Sequence, residues 1–110
     1  VTFGYVVRPR ADRDIDEIAD YLTDEASLDV ALEFLSATYA TIGLLALQPN
    51  AGWSCKVQHS ELVTARTFRV SAPFEQYLVF YQPYSERIEI LRVLHGSRDL
   101  DELFGSEGIN

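Results

Sequence analysis

His95, Gly96, Ser97, Arg98 and Asp99 place an imidazole, a hydroxyl, a guanidinium and a carboxylate in five consecutive positions. An imidazole beside arginines suits acid–base chemistry at a phosphodiester: the ring moves a proton while guanidinium groups stabilise the charged transition state. His95 and Arg98 would carry such a reaction, with Arg92 and Arg69 as further electrophilic partners. Each residue also has a plainer reading. His95 can pin a strand end by bonding a neighbouring backbone carbonyl, and Arg98 with Asp99 can cap a helix and pair locally. Other catalytic signatures are missing from the sequence: it has no glycine-rich phosphate loop, no Gly-x-Ser-x-Gly, no His-Glu-x-x-His and no cysteine pair. Cys55 and His59 lie close in sequence, but in a loop they make only a weak nucleophile–base signal. Two distant histidines and one cysteine give little support to a metal site, and no cofactor is expected.

The polar cluster must be held by what precedes it. Gln76 to Gln82 and Arg87 to His95 read as adjacent strands joined by a turn carrying Pro83, Ser85 and Glu86. Thr64 to Val70 alternates as a third strand, and Ser71 to Glu75, with Pro73, turns the chain. The three strands form an antiparallel meander. Tyr77, Val79 and Tyr81 should point one way and Leu78 and Phe80 the other. One face is expected under helices. The second, taken as rich in tyrosine, is too apolar to stand bare, so a partner chain or a tail helix should cover it. A peptide lying on the sheet or adding to its edge fits that arrangement. By alternation Arg92 shares a face with Ile88, Ile90 and Leu94, so its charge must reach the sheet rim or meet a carboxylate.

The first half of the chain is helical. Phe3 to Val7 is a short strand candidate ended by Arg8 and Pro9. Ala11, Ile15, Ile18, Ala19 and Leu22 then form a stripe at helical spacing, predicting a helix from Ala11 to Asp24 with one face in water. Ser27 suits the N-cap of a second helix, whose stripe runs through Ala31, Phe34, Leu35, Thr38, Ile42 and Leu45 before Gln48, Pro49 and Asn50 stop it. Gly43 costs a helix about 1 kcal/mol relative to alanine, which suggests close packing against a neighbour. The short link between the helices makes an antiparallel hairpin. Asn50 to Glu61 shows no period and reads as a loop or one weak extended segment. Arg98 to Phe104 predicts a short final helix capped by Ser97. Segregated helices and strands mean an α+β fold: an N-terminal strand, a helical hairpin on an antiparallel sheet, and a short C-terminal helix.

Composition bounds the rest. The 110 residues suffice for one domain, residues 1–110, with a single core. No run of consecutive apolar residues approaches the roughly 20 of a membrane span, no basic-then-apolar leader is visible, and one cysteine suits a reducing cytoplasm. The net charge of −8 is unevenly spread. Residues 1–50 hold three arginines against nine acids, whereas residues 53–98 hold six basic groups against four acids. Overall acidity argues against high-affinity binding to bare nucleic acid, which depends on neutralising phosphates. The acidic helices can simply be solvated; alternatively, the strand half meets an acidic partner segment.

The segments PRADRDIDEIADYL, LLALQPNAG, EQYLVFYQP and above all IEILRVLHGSRDL occur in an order that resembles the ParE branch of the RelE/ParE toxins, the toxic halves of type II toxin–antitoxin (plasmid stabilisation) pairs. The likeness runs from about Tyr5 to Phe104. It implies the same α+β arrangement and a cognate antitoxin whose C-terminal segment wraps the toxin. It also implies DNA gyrase as the target, engaged by protein contact without chemistry. RelE members are ribosome-dependent mRNA endonucleases that use several basic residues and a C-terminal tyrosine. Here the region after His95 has Arg98 but no tyrosine, and Lys56 is the lone lysine, which favours the ParE branch. The alternatives are a RelE-type nuclease using His95 and Arg98, or a non-toxic antitoxin-binding module. Residues expected to meet antitoxin or target are Arg69, Tyr77, Tyr81, Arg92, His95 and Arg98.

Overall fold

The chain opens with strand β1 (Gly4–Val7), seen in a computed structural model that describes residues 4–55 and 64–97. Helix α1 (Pro9–Glu25) starts two residues before the apolar stripe. Pro9 is the reason: its fixed φ suits the first helical position and its missing N–H is not needed there. Ser27 caps α2 (Leu28–Leu47) as expected, its Oγ accepting the Val30 N–H at 3.2 Å. The predicted close packing at Gly43 is absent: a Cβ there would meet nothing within 4 Å.

Helix α2 is apolar overall, although its apolar residues do not run consecutively. An 18-residue stretch of it has a mean hydropathy of 1.7, so this 20-residue helix is long and apolar enough to cross a membrane by length and composition alone. In this fold that apolarity serves the core, where Phe34, Ile42 and Leu45 are completely buried against the sheet.

The remaining strands are β2 (Trp53–Ser54), β3 (Arg66–Arg69), β4 (Tyr77–Pro83) and β5 (Arg87–His95). They form one five-stranded sheet in the order β1-β5-β4-β3-β2. The expected meander of β3, β4 and β5 is antiparallel, and β2, in the stretch read as loop or weakly extended, extends it. The sheet as a whole is mixed. β1 lies parallel to β5, Gly4 opposite Arg87 and Val7 opposite Ile90. A two-residue strand and a parallel pairing at long sequence separation leave little periodic signal, so neither was visible in the pattern.

The two faces of the sheet are occupied differently from expectation. Tyr77, Val79 and Tyr81 do share a face, but it is the one under the helices, packed with Ile15, Phe34 and Ile42. The opposite face carries Leu78, Phe80, Leu91 and Leu94 with Ala65. Phe80, Leu91 and Leu94 are themselves buried, so among the described residues there is no bare tyrosine-rich platform. Strand β5 also breaks its own alternation. Between the Phe80–Arg92 and Tyr81–Ile90 pairs it holds one residue more than β4, a bulge at Leu91. Ile88, Ile90 and Val93 therefore belong to the helix-side core while Leu94 turns to the other face. The predicted tail helix, Arg98 to Phe104, lies outside the described residues, as do Lys56 and His59.

Candidate functional site

Asp14 occupies the apolar stripe of α1, three residues after Ala11 and four before Ile18, and is only 3% exposed. It faces Arg92, which is 0% exposed. Its Oδ2 accepts the Arg92 Nε–H at 2.7 Å and the Val93 backbone N–H at 3.1 Å, and its Oδ1 accepts Arg92 Nη2 at 3.0 Å. Arg10 Nη1 approaches the same Oδ1 at 2.9 Å from the preceding turn. A two-pronged guanidinium–carboxylate contact is the strong, directional form of an ion pair. Here it docks α1 onto β5 just past the bulge. Of the two expected fates for the Arg92 charge, meeting a carboxylate is the one observed. As a contact for antitoxin or target, however, Arg92 is corrected: a side chain with no exposed surface presents nothing to a partner.

Beside this pair lies an open groove of about 450 Å³ between α1 and the end of β5. Glu17, Ile18 and Tyr21 form its helical wall; Tyr77, Val93 and His95 are contributed by the strands. Tyr77 and His95 are direct cross-strand neighbours, their rings meeting edge to face with centroids 5.2 Å apart. Phe34 supports Tyr77 from below at 5.1 Å. Burial pushes the Tyr77 phenol above its ordinary pKa, and Tyr21 adds to the rise. His95 Nδ1 accepts the Ser97 backbone N–H at 3.0 Å and lies 2.6 Å from the Ser97 hydroxyl. With Nδ1 an acceptor, the neutral ring carries its proton on Nε2. The imidazole thus holds the turn after β5 as an acceptor, the reverse of the expected bond to a carbonyl.

The other candidates are scattered. The Tyr81 hydroxyl is buried; it donates to the Pro49 carbonyl at 2.7 Å and accepts the Gly52 N–H at 2.9 Å, fastening the link from α2 to β2. Tyr81 has no exposed surface, so its expected role in partner contact is also corrected. Arg69 is exposed, paired with Leu78 on the face away from the helices, and its guanidinium lies 5.2 Å from the centre of the Trp53 ring. Arg66 donates to the carbonyls of Gly52 and Asn50 at 2.8 and 3.3 Å. Arg8 and Arg87 share Glu89 at the far end of the sheet. Among the described residues, the arginines of the strand half are therefore not gathered on one acid-binding surface. Arg98 and His59 lie outside the described residues, and Cys55 sits partly buried beside the second cluster.

Of the six residues the sequence suggested for partner contact, the structure places Tyr77 and His95 at the groove, Tyr77 from the helix-covered face and not from the bare face expected of it. Sequence reasoning missed Asp14, Glu17 and Tyr21. The signal for Asp14 was present: a carboxylate inside one buried stripe and an arginine inside another imply each other. Chemically, the groove offers an imidazole, carboxylates and apolar walls. Among the described residues no lysine or arginine lines it. That set suits docking of a polypeptide better than stabilisation of a phosphorane-like charge.

No curated protein sequence matches the chain. A solved structure described as the chromosomal ParDE toxin–antitoxin system from P. aeruginosa contains a chain that superposes with a TM-score of 0.70 at 18% identity, covering 86% of this chain and 96% of that one. At that identity the likeness establishes the shared fold. The sequence model of the ParE toxin of the parDE type II toxin–antitoxin system matches residues 5–100, nearly the whole length. This chain belongs to the ParE toxin family.

Proposed function

We propose that this protein is a toxin that inhibits DNA gyrase by protein–protein contact in the cytoplasm and is neutralised by a cognate antitoxin. The observation supporting contact over catalysis is the make-up of the His95 groove. A nuclease must attract a polyanion and stabilise extra negative charge at phosphorus, which calls for cations around the general acid or base. The groove instead sets Glu17 and Asp14 beside His95, among the described residues no lysine or arginine lines it, and Arg92 and Arg10 are held on Asp14. With its lining carboxylates already paired to arginines, the groove leaves no cation to stabilise charge at a phosphodiester among the described residues.

The test uses the purified chain in two assays. Gyrase supercoiling should be blocked at micromolar protein while translated mRNA stays intact. Cleavage of mRNA with gyrase unaffected would overturn the proposal in favour of a RelE-type nuclease. Unchanged growth on induced expression without the partner, together with inactivity in both assays, would instead identify a non-toxic binding module.

A further inference from the structure

We infer that two copies of this chain pair through the outward face of the second half of α2, the two helices crossing antiparallel near Gly43. The partner on this face is thus a second copy of the chain, held by apolar contact and separate from the target and the antitoxin.

Helix α2 is apolar on both sides, and the fold encloses only one. Phe34, Ile42 and Leu45 are sealed inside, yet Leu32, Tyr39, Leu44 and Leu47 keep 52%, 37%, 42% and 65% of their surface exposed. A helix that is apolar all round is normally enclosed, and a contiguous exposed apolar patch marks contact with another molecule. Gly43 sits within this patch. A glycine weakens a helix interior, and no close neighbour inside the chain accounts for it, since a Cβ there would meet nothing within 4 Å.

Charge selects the occupant. From Phe34 to Cys55 the sequence holds no Asp, Glu, Lys or Arg, the longest such stretch in the chain. A charged partner segment finds nothing there to pair with. Two copies that each carry a net charge of −8 repel one another, so they approach best where carboxylates are absent. An antiparallel crossing at Gly43 meets that condition. Glu33 of each copy then lies about 15 Å from the crossing, past the end of the opposite helix, whose Leu47 is about 6 Å from it. The two helix dipoles also run in opposition.

The face also matches itself in shape and size. Leu44 and Leu47 stand beside the notch that Gly43 leaves, so each copy sets its leucines against the other's notch, the self-complementary contact of a two-fold pair. The exposed parts of Leu32, Tyr39, Leu44 and Leu47, with Ser36 and Ala40 between them, amount to roughly 500 Å² per copy, so a pair buries about 1,000 Å², the lower bound for a specific interface. Such a pair is weak and forms only as concentration rises.

Sedimentation equilibrium of the full-length chain tests this from roughly 1 to 300 μM, the range a weak interface of that size calls for. The mass should rise from monomer towards dimer, and association should tighten as salt screens the repulsion between two acidic copies. Leu44→Gln with Leu47→Gln, which leaves the net charge unchanged, should weaken association about tenfold or more. Leu28→Gln, at the other end of the helix and also exposed, should leave it within about twofold. Gly43→Ala should raise Tm, alanine being the better helix former, and still weaken association by filling the notch. Circular dichroism checks that each variant keeps its fold. A monomeric mass throughout, or a dimer indifferent to the paired leucine substitution and to Gly43→Ala, would overturn the pairing. So would α2 amides that gain protection from hydrogen exchange only when the protein encoded by the adjacent reading frame is added, which gives the face to that partner. Gyrase inhibition is scored separately, in the supercoiling assay.

Discussion

Replacing Asp14 with asparagine should be among the most damaging single changes this protein can suffer. Asparagine keeps the shape but removes the charge, leaving the Arg92 guanidinium at 0% exposure without its counter-ion. One of its two terminal groups also becomes a donor facing other donors, where Arg92 and the Val93 amide now point at oxygen and Arg10 lies close by. Breaking a buried ion pair from one side costs about 3–5 kcal/mol. A domain of this size has a total stability of roughly 5–15 kcal/mol. An unfolding entropy near 2.1 cal/mol/K per residue over the chain converts that loss to a fall in Tm of roughly 13–22 °C. Thermal and urea unfolding followed by circular dichroism read it directly. The paired variant Asp14→Leu with Arg92→Met supplies the internal check. With both charges gone, the desolvation cost disappears with them, so the double variant should be clearly more stable than Asp14→Asn. The remaining deficit should be about 1–3 kcal/mol from the orphaned Val93 N–H. An Asp14→Asn stability within about 1 kcal/mol of wild type, or a double variant that loses the sum of what Asp14→Leu and Arg92→Met lose alone, would refute this role for the pair.

Gly52→Ala should cost about 1–3 kcal/mol by overpacking, because its Cβ would lie 2.6 Å from the Tyr81 hydroxyl and 2.7 Å from the Thr67 carbonyl, a backbone atom that cannot give way; urea unfolding measures the loss. Tyr81→Phe should cost about 1–3 kcal/mol by leaving the Pro49 carbonyl and Gly52 amide without the buried hydroxyl, and amide exchange at Gly52 should accelerate. Glu89 is held below the ordinary glutamate pKa by the hydrogen bond from Arg87 and then by Arg8, against the opposing effect of burial. A carboxyl whose folded pKa is lowered contributes stability above its unfolded pKa and loses it as pH falls through the folded one. The stability gap between wild type and Glu89→Gln should therefore be about 1 kcal/mol near neutrality and close towards zero in acid; a gap that is flat or widens in acid contradicts the assignment. Ser27→Ala should lower stability by about 1 kcal/mol through loss of the cap on Val30, seen as a shift of the urea midpoint at unchanged slope.

Much of the architecture is written in local patterns. The helical stripes, the Ser27 cap and the three antiparallel strands depend on interactions between near neighbours along the chain, which leave periodic traces in residue type. The same local logic foresaw that the Arg92 charge must be met by a carboxylate if it stays off the rim. The order of segments ending in IEILRVLHGSRDL likewise pointed to the family that the sequence model matches over residues 5–100.

What the pattern could not decide was everything set by contacts between distant segments. Which sheet face the helices cover is a choice between two apolar faces, and alternation is symmetric between them; packing chose the tyrosine face and buried Tyr81. One extra residue at Leu91 resets the alternation of β5 and sends Leu94 away from its expected neighbours. The partner of Arg92 is an aspartate on the first helix, chosen because the parallel pairing of β1 with β5 brings that helix across the end of the sheet. The groove exists only because α1 and β5, remote in sequence, leave a gap where the ion pair ends. Identity and charge are properties of residues, so the chain alone reveals them; shape and pairing belong to the fold, where a single bulge or a parallel strand redistributes the same residues between core and surface.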